Sequence, residues 1–207
     1  MEFKEIKRLM DLCNYEDDLY IAGYERIAGV DEVGRGSLAG PLVAVAVILD
    51  KKKLIIEDIN DSKKLTADKR KYIFKKVIRS CLCWSIAKIP PDEIDKLSIT
   101  KANALAFKKA IGALKIKPDI ILSDYISTDL GIKYLPIVNG DGLSVSVAAA
   151  SIIAKVIRDQ IMFKFSRYYP EYGFEHNKGY GTRKHLKSLQ KYGPTFIHRV
   201  SFRGVLS

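Results

Sequence analysis

The run Gly40-Pro-Leu-Val-Ala-Val-Ala-Val-Ile-Leu49 constrains the fold of this chain more than any other feature. Unbroken, apolar, rich in β-branched side chains and closed by Lys51–Lys53, it reads as a buried strand. Just upstream, Arg26-Ile-Ala-Gly-Val-Asp-Glu32 reads as a second strand, and the glycine turn Gly34-Arg-Gly36 follows it. Strands joined this closely form an antiparallel pair.

The rest of the pattern supplies helices to cover such a sheet. Residues 4–13 make a short amphipathic helix through Ile6, Leu9, Met10 and Cys13, and residues 14–25 read as an acidic connector. Ala67–Ser80 is helical with Ile73, Val77 and Ile78 inward, and residues 81–89 form a third strand. Pro90-Pro-Asp-Glu93 opens one long helix to about Leu114, with Asp92 able to cap it. A short strand runs from Pro118 to Ser123 and ends at Asp124; Lys133–Val138 is another. The long helix Ser144–Phe165 and a basic helix near Arg183–Lys191 complete the order. This β-β-α-β-α-β-β-α succession predicts an α/β fold, a mixed central sheet flanked by helices with a C-terminal helical basic segment. The expected division is a helical extension over 1–25, a core over 26–165 and a basic segment over 166–207.

At 207 residues and 47% hydrophobic, the chain can bury a full core. No apolar run is long enough for a membrane helix, and the opening residues lack a secretory signal, so a cytoplasmic location is expected. Cys81 and Cys83, two apart in a strand, are expected on one face as buried thiols, and the three cysteines make no disulfide framework. The formal charge is +11, and residues 160–207 carry nine Lys or Arg against two acids. Such a basic end favours a polyanionic partner, nucleic acid first.

Against this background the acids stand out. Asp31 and Glu32 interrupt an apolar strand, Asp124 ends another, and Asp141 sits in the bend Asn139-Gly-Asp-Gly142 before a helix. Taken singly, Asp141 reads as a capping acid and Asp124 as a turn residue; Asp31-Glu32 is harder to dismiss. Parallel neighbouring strands would bring Asp31 and Asp124 to one carboxyl-terminal edge, where α/β proteins place their sites. Four acids in one cleft repel unless a counter-ion joins them, and hard divalent ions with oxygen ligands meet that need. His176, His185 and His198 form no zinc-type cluster. Strict alternation would point Asp31 and Glu32 to opposite faces, so both reach one cleft only if the strand ends or twists there. A dinucleotide loop at Gly34-Arg-Gly36 is disfavoured, because Pro41 and a strand follow where a helix should begin.

Several segments then fall into a known order. Gly29-Val-Asp-Glu-Val-Gly-Arg-Gly36, Asp61-Ser-Lys-Lys-Leu65, Gly140-Asp141, Ala149–Asp159, Lys178-Gly-Tyr-Gly-Thr182 and His198-Arg-Val-Ser-Phe202 closely resemble the bacterial ribonuclease HII (type 2 ribonuclease H) family. The resemblance implies a ribonuclease H-like fold with Asp31, Glu32, Asp124 and Asp141 as catalytic acids and metal ligands. It also implies two Mg²⁺ or Mn²⁺ ions and no organic cofactor. Asp159 competes as a fourth acid but reads better as a structural ion pair beside Arg158. By the same resemblance, the backbone of Gly34, Arg35 and Gly36 faces the 2′-hydroxyl of a ribonucleotide, and Tyr180 packs on the next sugar. Lys64, Lys178 and Lys184 are candidate phosphate contacts; Ser151 and Lys155, four apart on one helix face, help hold the site; His198 is structural. Ser37 and Asn177 depart from the family pattern without removing a ligand.

The implied reaction is hydrolysis 5′ to a ribonucleotide in RNA/DNA hybrids and in duplex DNA with embedded ribonucleotides. The products carry 3′-hydroxyl and 5′-phosphate ends, and a monomer suffices. Alternatives are a ribonuclease HIII-like or other metal-dependent nuclease, and a non-catalytic basic RNA-binding module. The arginine of the glycine turn favours type 2 over type 3.

Overall fold

The computed structural model describes residues 1–124 and 130–206. Two helices, α1 (Phe3–Leu12) and α2 (Asn14–Ile21), precede the hairpin strands β1 (Ile27–Val33) and β2 (Leu42–Leu49). Then follow α3 (Ala67–Ser80), β3 (Cys81–Ile89), α4 (Pro91–Leu97), α5 (Ile99–Gly112), β4 (Ile120–Ser123) and β5 (Tyr134–Pro136). The chain closes with α6 (Val145–Tyr168), a short α7 (Phe174–Asn177) and α8 (Arg183–Tyr192). The sheet order is β3-β2-β1-β4-β5, with β2 antiparallel to both its neighbours, β1 and β3, and with β4 and β5 parallel to β1. This is the mixed, helix-flanked α/β sheet expected.

Every residue of β2 is buried, because helices cover both faces. Val43, Val45, Val47 and Leu49 pack with α6, α3 and the amino-terminal helices. Leu42, Ala44, Ala46 and Ile48 pack on the opposite face with Ala102, Ala106, Phe107 and Ala110 of α5. Each Val, Leu, Ile or Phe among them contributes about 1.5–3 kcal/mol on leaving water. A smaller cluster of Leu38, Met162, Tyr172, Phe174, Leu189 and Ile197 seats the carboxyl-terminal segment against α6. Among the described residues, no helix is long and apolar enough to cross a membrane.

Three local expectations change. The acidic connector is largely helical: α2 turns Tyr15, Leu19 and Tyr20 onto Ile27, Leu122 and Val147 and buries Glu16 completely. The helix expected over about 92–114 is broken at Ser98, which takes φ +77°. The break lets Asp95 at the end of α4 accept hydrogen bonds from Val200 and Ser201, while α5 lies along the sheet. Cys81 and Cys83 do not share a face: a register shift at Ile48/Leu49 turns Cys81 toward the α3–α6 side and Cys83 toward α5.

Candidate active site

Val30 of β1 pairs with Ser123, the last residue of β4. The next residue of each strand, Asp31 and Asp124, therefore leaves the parallel ladder at the same edge. β1 itself continues to Val33 against β2, so Asp31 and Glu32 border a notch where β4 has stopped. Alternation holds: Asp31 faces Ser151 on α6, and Glu32 faces Asn103 on α5. They look to opposite helices yet belong to one cluster, since the charge of Glu32 acts on Asp31 and that of Asp124 on Glu32. Asp141 reaches it from the tight turn Gly140–Gly142 that enters α6.

The electrostatics show how closely these groups crowd. Burial, then the charge of Glu32, pushes the Asp31 carboxyl well above the ordinary range; Ser151 pulls the other way, and Asp141 adds to the rise. Glu32 is raised by burial, opposed by the charge of Arg35 and reinforced by Asp124. Asp141 is raised by burial, opposed by Lys63 and reinforced by Asp61. The Lys63 ammonium stands 3.2 Å from Asp141 Oδ2.

Around the notch, Gly34 takes φ +92°, and a Cβ there would lie 2.1 Å from Arg158 Nε, so only glycine fits. Arg35 and Gly36 are exposed beside it. Arg158, fully buried, donates to the carbonyls of Pro41, Ala39 and Lys178 at 3.0, 3.1 and 2.8 Å. Arg199 donates to the carbonyls of Gly40 and Arg35. Arg158 thus staples the 35–41 loop to the loop carrying Lys178 and Tyr180, and Arg199 fastens the same 35–41 loop to the carboxyl-terminal segment. Burial lowers both, Arg199 to about 9. The half-exposed Tyr180 ring sits 5.6 Å above the Arg158 guanidinium.

Beneath Tyr180 lies a buried histidine pair. Thr195 N–H donates to His198 Nδ1 at 2.9 Å, so the neutral ring carries its proton on Nε2 and donates to His185 Nε2 at 3.1 Å. His185 Nδ1–H then donates to the Tyr180 carbonyl at 2.9 Å. Burial pushes both rings down, His198 to about 4. His198 is in this way a structural group.

The other expected residues divide. Ser151 touches Asp31 and stands 2.9 Å from Ser62 of the Asp61–Leu65 loop. Lys155 is engaged with Asp159 at 2.7 Å, and Asp159 also faces Arg70 at 3.5 Å rather than its neighbour Arg158. Lys178 turns its ammonium onto the Glu175 carbonyl. Lys64 is exposed, its ammonium 4.0 Å from Asp61, and Lys184 is exposed on the first turn of α8.

Sequence reasoning missed Lys63, Asp61, Asn103 and Arg70. Adjacent Lys63 and Lys64 are indistinguishable by pattern; the loop decides which one faces the acids. That loop is fastened by Arg70, which donates to the carbonyls of Ser62 and Leu65. Asn103, polar among the buried Ala102, Ala106 and Phe107 of α5, was visible as an interruption of an apolar face.

Chemically, Asp31, Glu32, Asp124 and Asp141, with Asp61 at hand, make an all-oxygen set free of Cys and His, suited to a hard divalent cation. Among the described residues no three such side chains form a closed metal-holding group. An open set suits a cation that keeps water and takes further oxygens from a phosphate.

Comparison with known proteins agrees with this architecture. The Ribonuclease HII family model matches residues 28–205. Ribonuclease HII of Caldicellulosiruptor bescii is 48% identical over 205 residues, covering 97% of this chain and 99% of that one. The crystal structure of the ribonuclease H2 from Pyrococcus horikoshii OT3 superposes with TM-score 0.78 at 30% identity, covering 87% of this chain and 95% of that one. Bst-RNase HIII in complex with Mn²⁺, at 22% identity and TM-score 0.67, covers 87% of this chain and 68% of that one and shares the fold. With a 48%-identical relative matched along nearly its whole length and a family model spanning the sheet, the acids and the carboxyl-terminal loops, this chain belongs to the ribonuclease HII family, hydrolases of the ribonuclease H type.

Proposed function

We propose that the chain cleaves the phosphodiester 5′ to a ribonucleotide, in RNA/DNA hybrids and in duplex DNA holding as little as one ribonucleotide, leaving 3′-hydroxyl and 5′-phosphate ends. The observation that carries this reading is the Val30–Ser123 pairing, which delivers Asp31 and Asp124 to one sheet edge beside a glycine turn. Asp31, Glu32, Asp124 and Asp141 hold two divalent ions, Mg²⁺ or Mn²⁺. Bound there, such ions activate water and stabilise the leaving oxygen.

The chain's own residues do the rest. Asp31, central among the acids, would be the principal carboxylate holding the ions, and Ser151 orients it. Backbone groups of Gly34, Arg35 and Gly36 meet the 2′-hydroxyl, which separates RNA from DNA at that sugar. Tyr180, stiffened by Arg158 and the histidine pair, covers the following deoxyribose. Lys64, Lys178 and Lys184 with the basic 166–207 segment attract the phosphates. The protein acts as a cytoplasmic monomer.

The test is a DNA duplex with a single ribonucleotide, incubated with Mg²⁺, with chelator, and with Asp31→Asn. Cutting 5′ to the ribonucleotide only with Mg²⁺ and intact Asp31 is expected. Equal cutting of an all-DNA duplex would point to a general metal nuclease, and Mg²⁺-indifferent binding without cleavage to an RNA-binding module.

A further inference from the structure

Among the described residues, the least exposed carboxylate lies outside the notch. Glu16, on the first turn of α2, is 0% exposed. Its Oε1 accepts from the Ser144 hydroxyl at 2.5 Å and from the Ser146 backbone N–H at 2.9 Å. Its Oε2 is buried without a hydrogen-bond partner. A carboxylate kept in so costly a place needs a reason, and what it grips is the entrance of α6.

Three connections run from that entrance to the acids. Ser144 N–H donates to the Gly140 carbonyl at 2.9 Å, so the residue held by Glu16 closes the turn that carries Asp141. Ser144 Oγ also accepts from Val147 N–H, fixing the first turn of the helix. Third, α6 lies directly on β1: a Cβ at Gly29 would fall 2.1 Å from the Ser146 carbonyl carbon. Gly29 and Asp31 share a strand face, and one and a half turns along α6 Ser151 meets Asp31. The height and rotation of α6 therefore set Asp141 and Asp31 together, and Glu16 holds both at the point where helix, turn and strand meet.

We propose that Glu16 is a positioning residue for the divalent-cation site, an acceptor contributed by the amino-terminal helices that locks α6 and the Asp141 turn in register with Asp31. It acts through Ser144 and Ser146 and touches no reacting atom. The inference rests on the metal-site reading above and extends it to a residue outside the 28–205 span of the family model. The isosteric Gln keeps an oxygen for both donors, whereas Ala leaves the Ser144 hydroxyl and the Ser146 N–H unpaired in the interior.

The experiment is calorimetric titration of Mn²⁺ into the full chain, for wild type, E16A, E16Q and S144A. Each is accompanied by a thermal melt and by the Mg²⁺ dependence of cleavage well below the melting temperature. E16A is expected to weaken Mn²⁺ binding about ten-fold and to raise the Mg²⁺ needed for half-maximal cleavage by the same factor. E16Q should stay within about two-fold of wild type, and S144A should shift in the direction of E16A. A folded E16A that melts lower yet binds Mn²⁺ like wild type makes Glu16 a stabiliser only and overturns the proposal. So does an E16Q as weak as E16A, because charge rather than hydrogen-bond acceptance would then matter. Should E16A fail to fold, unchanged Mn²⁺ affinity in S144A overturns it. Wild-type protein whose Mn²⁺ binding is absent, or indifferent to Asp31→Asn and Asp141→Asn, brings down the metal-site reading and this inference with it.

Discussion

The acidic notch and the shelf beside it are both built from buried charges, in opposite ways. In the notch, burial raises the affinity of Asp31, Glu32 and Asp141 for protons, neighbouring acids add to it (Glu32 and Asp141 on Asp31, Asp124 on Glu32, Asp61 on Asp141), and Lys63 leans on Asp141. On the shelf, Arg158 and Arg199 are as deeply buried, yet their guanidiniums are taken up by backbone carbonyls. The notch stores an unmet demand for cations; the shelf stores none. One region is arranged to bind and react, the other to hold two loops still.

The largest expected effect tests the shelf. Arg158→Met leaves three carbonyls without their donor and should cost about 3–5 kcal/mol in urea unfolding; a loss under 1 kcal/mol would break the contrast. Next, Asp31→Asn should lower cleavage about 10²–10³-fold while the melting temperature holds or rises, since a buried like charge is relieved. A fall in melting temperature would mean that the notch is structural like the shelf.

The histidine pair sharpens the comparison through pH. The folded protein depresses His198 from 6.5 to about 4, so the unfolded chain takes up that proton more readily. Its contribution is complete above pH 6.5 and is lost as pH falls toward 4, on the order of 3 kcal/mol across that window. Denaturation midpoints at several pH values check this, and His198→Gln should flatten the slope. Smallest is Lys63→Ala: its side chain is 76% exposed, so stability should move by less than about 1 kcal/mol in the same assay.

Much of this was legible in the residues. The apolar run of β2, the antiparallel hairpin, the parallel placement of β1 beside β4 and the acids at their ends all follow from patterns a few residues wide. The site was less legible wherever direction mattered. Lys63 and Lys64 carry the same charge, and only the Arg70-held loop separates them. The split of α4 from α5 leaves no mark in helical periodicity, and the contact that goes with it joins Asp95 to a segment 105 residues away. Likewise a one-residue register shift, invisible in an alternating strand, sends Cys81 and Cys83 to different faces.

By itself, then, the amino-acid order determined which segments are strands and helices, which residues bring carboxylate chemistry, and to which family the chain belongs. Those are matters of local periodicity and of short motifs. Tertiary structure alone decided that Val30 pairs with Ser123 and so sets Asp31 beside Asp124, that Glu16 reaches across 128 residues to Ser144, and that Arg158 and Arg199 serve carbonyls. Such outcomes depend on register and on partners far along the chain, and a side chain acquires its direction only when those partners have packed against it.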